Sequence, residues 1–179
     1  NEPLLDLRLL DIPVLRAGLT TLLGQQFIIM STFFVLPLYL QTVLGYDSLQ
    51  TGITILPLSL SLFVFALGGS ALTGRMSPKR IVEIGLIGML IGEVLLIGFT
   101  GPDLRSLGFG AALALVGAGL GLLASQLGNI NMSAVPSERG SEVGGLQGTA
   151  QNLGASLGTA LIGSILIASL VGNFQTNVL

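Results

Sequence analysis

Cysteine and histidine are both absent from these 179 residues. Without cysteine there is no disulfide, thiolate nucleophile or cysteine metal site. Without histidine the usual imidazole base, metal ligand and proton shuttle are missing. Charge is nearly as scarce, at 9% of the chain against about 25% in ordinary soluble domains. So few charges cannot cover a water-facing surface. Motifs are lacking too: there is no phosphate-cradling glycine loop between a strand and a helix, no HExxH, no paired acids and no serine with its base. A basic patch for nucleic acid is equally absent. Enzyme activity, cofactors, metals and nucleic-acid partners are therefore not expected.

What is present is apolar: 51% hydrophobic residues and 26 glycines. An integral membrane protein is the class that fits. Charges divide the chain into long uncharged runs, Ala17–Tyr46, Ser48–Gly74, Ser106–Ser137 and Val143–Leu179, and Gly85–Gly98 holds one charge, Glu93. Crossing about 30 Å of hydrocarbon takes roughly 20 helical residues. The spacing predicts an all-α polytopic bundle of five transmembrane helices, near 16–44, 51–74, 80–100, 107–131 and 144–171, with a lead-in over 1–15 and a tail over 172–179. Continuous rather than alternating apolar runs favour helices over barrel strands. Gly45-Tyr46-Asp47-Ser48 and Gly101-Pro102-Asp103 supply turns.

Arg8, Arg16, Arg75, Lys79, Arg80 and Arg139 fall on one side of a five-span chain and Arg105 on the other. That asymmetry predicts cytoplasmic loops at 75–80 and 133–143. The chain opens on Asn1, without a basic segment followed by a short apolar core, and reads as cut from something longer.

In the first helix Thr21, Gln25, Thr32 and Tyr39 are four, seven and seven residues apart, so they share a face. Buried amides and hydroxyls need partners or water. Two readings stand: a pathway-lining stripe, or hydrogen-bonding glue between helices. Gln26, about 100° round, belongs to either. The fourth helix carries Gly117, Gly121, Ser125 and Asn129 at four-residue spacing, with Gln126 beside them. Its first part permits close backbone approach. Gln126, Asn129 and Asn131 read as an interfacial helix end or as ligand contacts. In the fifth helix Gly140, Gly144 and Gly148, then Gly154 and Gly158, recur every four residues, while Gln147 and Gln151 stack one turn apart. This predicts a close-packing surface, which leucine at Gly148 or Gly154 would block. Pro37 and Pro57 fall inside the first two helices, where each can produce a kink.

Three stretches, PLLDLRLL (Pro3–Leu10), LPLYLQTVLGYDSLQTGITILPLSL (Leu36–Leu60) and VPSERGSEVGGLQGTAQNLGASLGTALIG (Val135–Gly163), resemble the major facilitator superfamily. The branch they resemble is that of the 14-span drug:proton antiporters. The resemblance implies that the five helices match spans nine to thirteen, most of a C-terminal six-helix domain. Its partners would be the lipid bilayer, a small-molecule substrate, protons, and the N-terminal domain and final helix of the same polypeptide. The first and fourth helices would line a central cavity, the second and fifth would face the other domain, and the third would be peripheral. Gln25, Thr32, Gln126 and Asn129 are accordingly expected to face a common cavity. GRMSPKR (Gly74–Arg80) keeps the glycine and bases of the family's cytoplasmic loop motif but lacks its aspartate, so that gating contact does not carry over. The implied function is secondary transport, proton-coupled efflux of small amphipathic or hydrophobic compounds from a bacterial cytoplasmic membrane. The alternative is a small helical membrane scaffold or dimerising subunit without transport; flanking coding sequence continuing in both directions would discriminate against it.

An acid within a membrane helix reads by default as functional. A peripheral third helix points instead to a neutral, structural Glu93, because desolvation favours the uncharged carboxyl, which can donate a hydrogen bond. Ser59, Ser61 and Ser164 lie at similar depth and are its expected partners, along with the final helix.

Overall fold

In the computed structural model, residues 7–99 and 107–177 are described. Five helices follow in order: α1 (Pro13–Thr42), α2 (Ser48–Leu72), α3 (Pro78–Phe99), α4 (Leu107–Ser133) and α5 (Gly140–Asn177). Short 3-10 turns occupy Leu7–Asp11 and Ser137–Arg139, and the described residues contain no strand. All five helices are long and apolar enough to cross a membrane. The Gly101-Pro102-Asp103 turn and Arg105 lie outside the described residues.

Helix ends follow local chemistry rather than the limits of uncharged runs. α1 starts at Pro13, whose fixed φ and missing N–H suit the first helical position, so Arg16 lies inside the helix. After α1, Gly45 takes φ 68°, a conformation open to residues without a Cβ, and the Tyr46 N–H returns to the Leu40 carbonyl at 3.0 Å. Asp47 then caps α2. Its carboxylate accepts the Gln50 N–H at 2.7 Å while the Gln50 side chain accepts the Asp47 N–H at 3.3 Å, a reciprocal capping box. α5 begins at Gly140, a turn earlier than expected, because small and polar residues outside hydrocarbon still make helical hydrogen bonds. Lys79 and Glu83, one turn apart near the start of α3, form an exposed ion pair at 3.8 Å.

α4 is the centre of the bundle, packing against α1, α2 and α3, while α5 lies mainly along α1. The run VGAGLGLL explains the position. Helical residues two apart point about 200° from each other, so Gly117 and Gly121 open one side of α4 and Gly119 the opposite side. A Cβ on Gly117 or Gly121 would strike the Leu58 or Leu62 carbonyl of α2, and one on Gly119 would lie 2.7 Å from the Met89 nitrogen of α3. α3 answers with its own small residues: a Cβ on Gly85 would lie 3.0 Å from the Gly119 carbonyl, and one on Gly92 2.8 Å from the Val116 nitrogen. Three backbones therefore meet without intervening side chains, the arrangement that maximises van der Waals contact where lipid removes any hydrophobic drive between helices. Leu113, Val116, Leu120 and Leu123 fill the remaining core with Leu58 and Met89.

The contact order gives the helix directions. Leu58 and Leu62 meet Gly117 and Gly121 in rising register, so α2 and α4 run parallel; Gly85 and Gly92 meet Gly119 and Val116 in falling register, so α3 runs antiparallel to α4. α1 is antiparallel to α4, with Gly18 beside Asn131 and Gln25 beside Leu120. Arg16, Arg75, Lys79, Arg80 and Arg139 accordingly share one end of the bundle. The expected topology result is simple, because the chain has no cysteine. Introduced singly, Ser77→Cys and Ser137→Cys should react with an impermeant maleimide from one membrane face, and Ser48→Cys from the other. Labelling of the first two from opposite faces would contradict the bundle.

Candidate functional site

α1 carries a line of polar residues, and three of the cavities among the described residues border it. Thr21 borders the first, about 510 Å³, near the basic end, where α1 meets Lys79, Val82 and Glu83 of α3 and Leu127 of α4. Gln25 and Gln26 border the second, about 220 Å³, between α1, α4 and α5. Thr32 and Tyr39 border the third, about 310 Å³, with Glu93 and Leu96 of α3 and Phe109 of α4. The first and third lie between α1 and α3, which both pack on α4 but hardly touch each other.

Gln25, Thr32, Gln126 and Asn129 do not share one cavity. Gln25 and Thr32 are seven residues apart, about 10 Å along the axis at 1.5 Å per residue, and border different cavities. Gln126 is fully buried and turned the other way, toward α2. Its Nε2 donates to the Gly69 carbonyl at 2.9 Å, with the Thr73 hydroxyl at 3.3 Å and the Ser125 hydroxyl at 3.1 Å. Gly69 is in the last turn of α2, where carbonyls run out of intrahelical donors; the Thr73 N–H goes to Ser70 instead. Gln126 thus satisfies a helix end. Asn129 is exposed on α4. Asn131 is wholly buried against Gly18, and neither of its amide atoms has a hydrogen-bond partner.

Gln25 is 5% exposed and reaches α4, its Nε2 donating to the Leu120 carbonyl at 3.1 Å while Oε1 has no partner. Thr21 bonds back to the Ala17 carbonyl at 2.8 Å, the usual resort of a hydroxyl on a helix.

Glu93 is partly buried and accepts the Thr32 hydroxyl at 3.3 Å. The serines expected as its partners are engaged elsewhere or exposed. Ser61 bonds to the Pro57 carbonyl and Ser164 to the Ala160 carbonyl, each four residues back, and Ser59 is exposed. Glu93 instead joins the polar face of α1, because α1 and α3 flank the same side of α4. Similar depth along the membrane carries no information about which helix lies opposite.

The fifth-helix glycines divide in two. A Cβ on Gly154 would strike the Leu23 carbonyl of α1, and one on Gly158 would lie 2.6 Å from the Phe27 carbonyl. Gly140 and Gly148 have open space, and Gly144 has only the Met132 methyl, at 3.9 Å. Close packing is confined to the second pair, where α5 runs parallel to α1 at backbone distance. The glycines of α3 were missed, although their spacing, Gly85, Gly88 and Gly92, was the available signal. Among the described residues no group of three or more acids is placed to hold a metal.

Comparison with known proteins agrees with this helical organisation. The family model of the Major Facilitator Superfamily matches residues 2–159. The chain is 31% identical over 176 residues to the tetracenomycin C resistance and export protein of Streptomyces glaucescens, covering 97% of the chain and 32% of that protein. It is 32% identical over 166 residues to the uncharacterized transporter YebQ of Escherichia coli, covering 92% of the chain and 36% of the relative. The multidrug resistance protein Stp of Mycobacterium tuberculosis is 27% identical over 175 residues, with 98% and 32% covered. The chain thus spans about a third of the length of these curated relatives. No solved structure matches it significantly. A match across most of the chain, to a family of polytopic membrane proteins, places it: this chain belongs to the Major Facilitator Superfamily.

Proposed function

We propose that the chain forms part of a proton-coupled secondary transporter that exports small amphipathic or hydrophobic compounds by alternating access. The observation carrying this is the α1 stripe, in which Thr21, Gln25, Thr32 and Tyr39 border open space from one end of the helix to the other. Gln25 also ties α1 to α4 through the Leu120 carbonyl, but all four residues line cavities in which a solute can exchange hydrogen bonds. The relatives named for resistance and export support efflux. On this reading the helices are spans nine to thirteen of a 14-span protein in a bacterial cytoplasmic membrane. The basic end is cytoplasmic, and an N-terminal domain and one final helix complete the transporter.

In the full-length protein, Gln25→Ala should shift the relative efflux of chemically different compounds by about fivefold, the scale of one hydrogen bond, at normal expression. Unchanged efflux across several such compounds would count against a lining role.

Glu93 is assigned a structural role, its carboxyl bridging α3 to Thr32 of α1. Glu93→Gln keeps shape and hydrogen-bonding capacity but exchanges no proton. Efflux by this variant should stay near normal, with an unaltered pH dependence. Loss of proton-coupled efflux with binding and expression retained would make Glu93 part of the coupling machinery instead.

A further inference from the structure

We propose that the cavity bordered by Gln25, Gln26, Gln147 and Gln151 is a subsite for an uncharged ring bearing hydroxyl or carbonyl groups, one fragment of the exported compound. The proposal rests on the transporter reading and adds the chemistry that one of its cavities selects. Its origin lies in the spacing of α5. Gln147, Gln151, Gly154 and Gly158 are separated by four, three and four residues, the repeat of a single helix face. At Gly154 and Gly158 that face touches the α1 backbone at Leu23 and Phe27. A turn or two toward the basic end the glycines give way to glutamines, and a cavity of about 220 Å³ lies among α1, α4 and α5.

Its lining combines four amides with apolar walls such as Leu22 and Ile29 and contains no charged side chain. The other two cavities on α1 differ in this respect, one holding Glu93 and the other Lys79 and Glu83. Each primary amide offers two donors and an acceptor, so a neutral polar group entering here exchanges water for amide partners. A charged group would lose its hydration and find no counter-ion. Two of these amides are incompletely paired. Gln25 Oε1 is buried and has no hydrogen-bond partner, and Gln147 Nε2 reaches the Gly128 carbonyl at 3.4 Å, the weak end of hydrogen-bond length. The volume exceeds the roughly 150 Å³ of an apolar cavity that holds benzene and falls below the roughly 300 Å³ at which whole-ligand pockets begin. One substituted ring is the fitting size.

The test is equilibrium binding to the full-length transporter in lipid nanodiscs with two probes: neutral 1,8-dihydroxyanthraquinone and the tetraphenylphosphonium cation. The double variant Gln147→Leu/Gln151→Leu should weaken anthraquinone binding by about tenfold or more, the scale of two lost hydrogen bonds. Phosphonium binding should stay within about twofold on the same scale. Gln147→Glu should reverse the preference, because it supplies the missing counter-ion. If the double variant elutes as misfolded protein, Gln147→Glu and the single Gln151→Leu decide by the same comparison. Equal losses for both probes, or no loss for either, would overturn the subsite and leave the glutamines as interhelical glue. A wild-type protein that exports compounds but binds only the cation would overturn the subsite alone. A wild-type protein that binds and exports nothing would overturn the transporter reading and the subsite with it.

Discussion

Leucine at Gly154 is expected to force α5 away from α1 and abolish export by the full-length protein, whereas leucine at Gly148 leaves that helix pair intact. The two glycines are six residues apart, about 240° round the helix, so they sit on different faces and their surroundings differ. A Cβ at 154 would clash with the Leu23 carbonyl oxygen and sit 3.1 Å from the Gln26 Cβ. The obstacle is backbone, which has no rotamer to yield. Overpacking costs about 1–3 kcal/mol where side chains can adjust, and the cost here lies at the upper end or beyond. At 148 the same construction meets nothing within 4 Å, so its leucine reports on a surface outside this bundle. Thermal stability in detergent and efflux, measured on both variants, separate the cases. If Gly154→Leu exports and melts like wild type, the α1–α5 contact described here is not the one the protein uses.

Gln126→Leu should destabilise the bundle by about 2 kcal/mol, the penalty for stranding a buried polar group. The amide is fully buried and holds the end of α2 through Gly69 and Thr73. Gly69 is buried, and its carbonyl loses its side-chain donor. Asn129→Leu, on an exposed side chain three residues along the same helix, should change stability little. A fall in melting temperature for Gln126→Leu alone is the expected result. Equal melting temperatures for the two variants would remove the helix-end role. The same comparison bears on export, since a residue that only joins α2 to α4 alters all substrates together.

Much of the architecture was written into composition and periodicity. Four uncharged runs of more than twenty residues, and a fifth apolar run broken only by Glu93, leave helices as the economical way to satisfy backbone groups in lipid, so five helices follow from the chain alone. Basic residues at alternate loops determine which loops share an end, and the structure brings Arg16, Arg75, Lys79, Arg80 and Arg139 together there. Gly117 and Gly121 announced a close approach because their four-residue spacing places two missing side chains on one face. Tertiary structure decided who the partners are. Helix periodicity identifies a face but not its neighbour, so Gln126 turned to α2 instead of a cavity, and Glu93 met Thr32 instead of a serine at similar depth. It also showed which face of α5 meets α1: Gly154 lies on it, and Gly148, six residues away and about 240° round the helix, does not. The glutamines of α5 show the same division. Their stacking was visible in the chain, but their meeting with Gln25 and Gln26 across one cavity depends on where α1 and α5 cross, a distance set by packing and by nothing local to either helix.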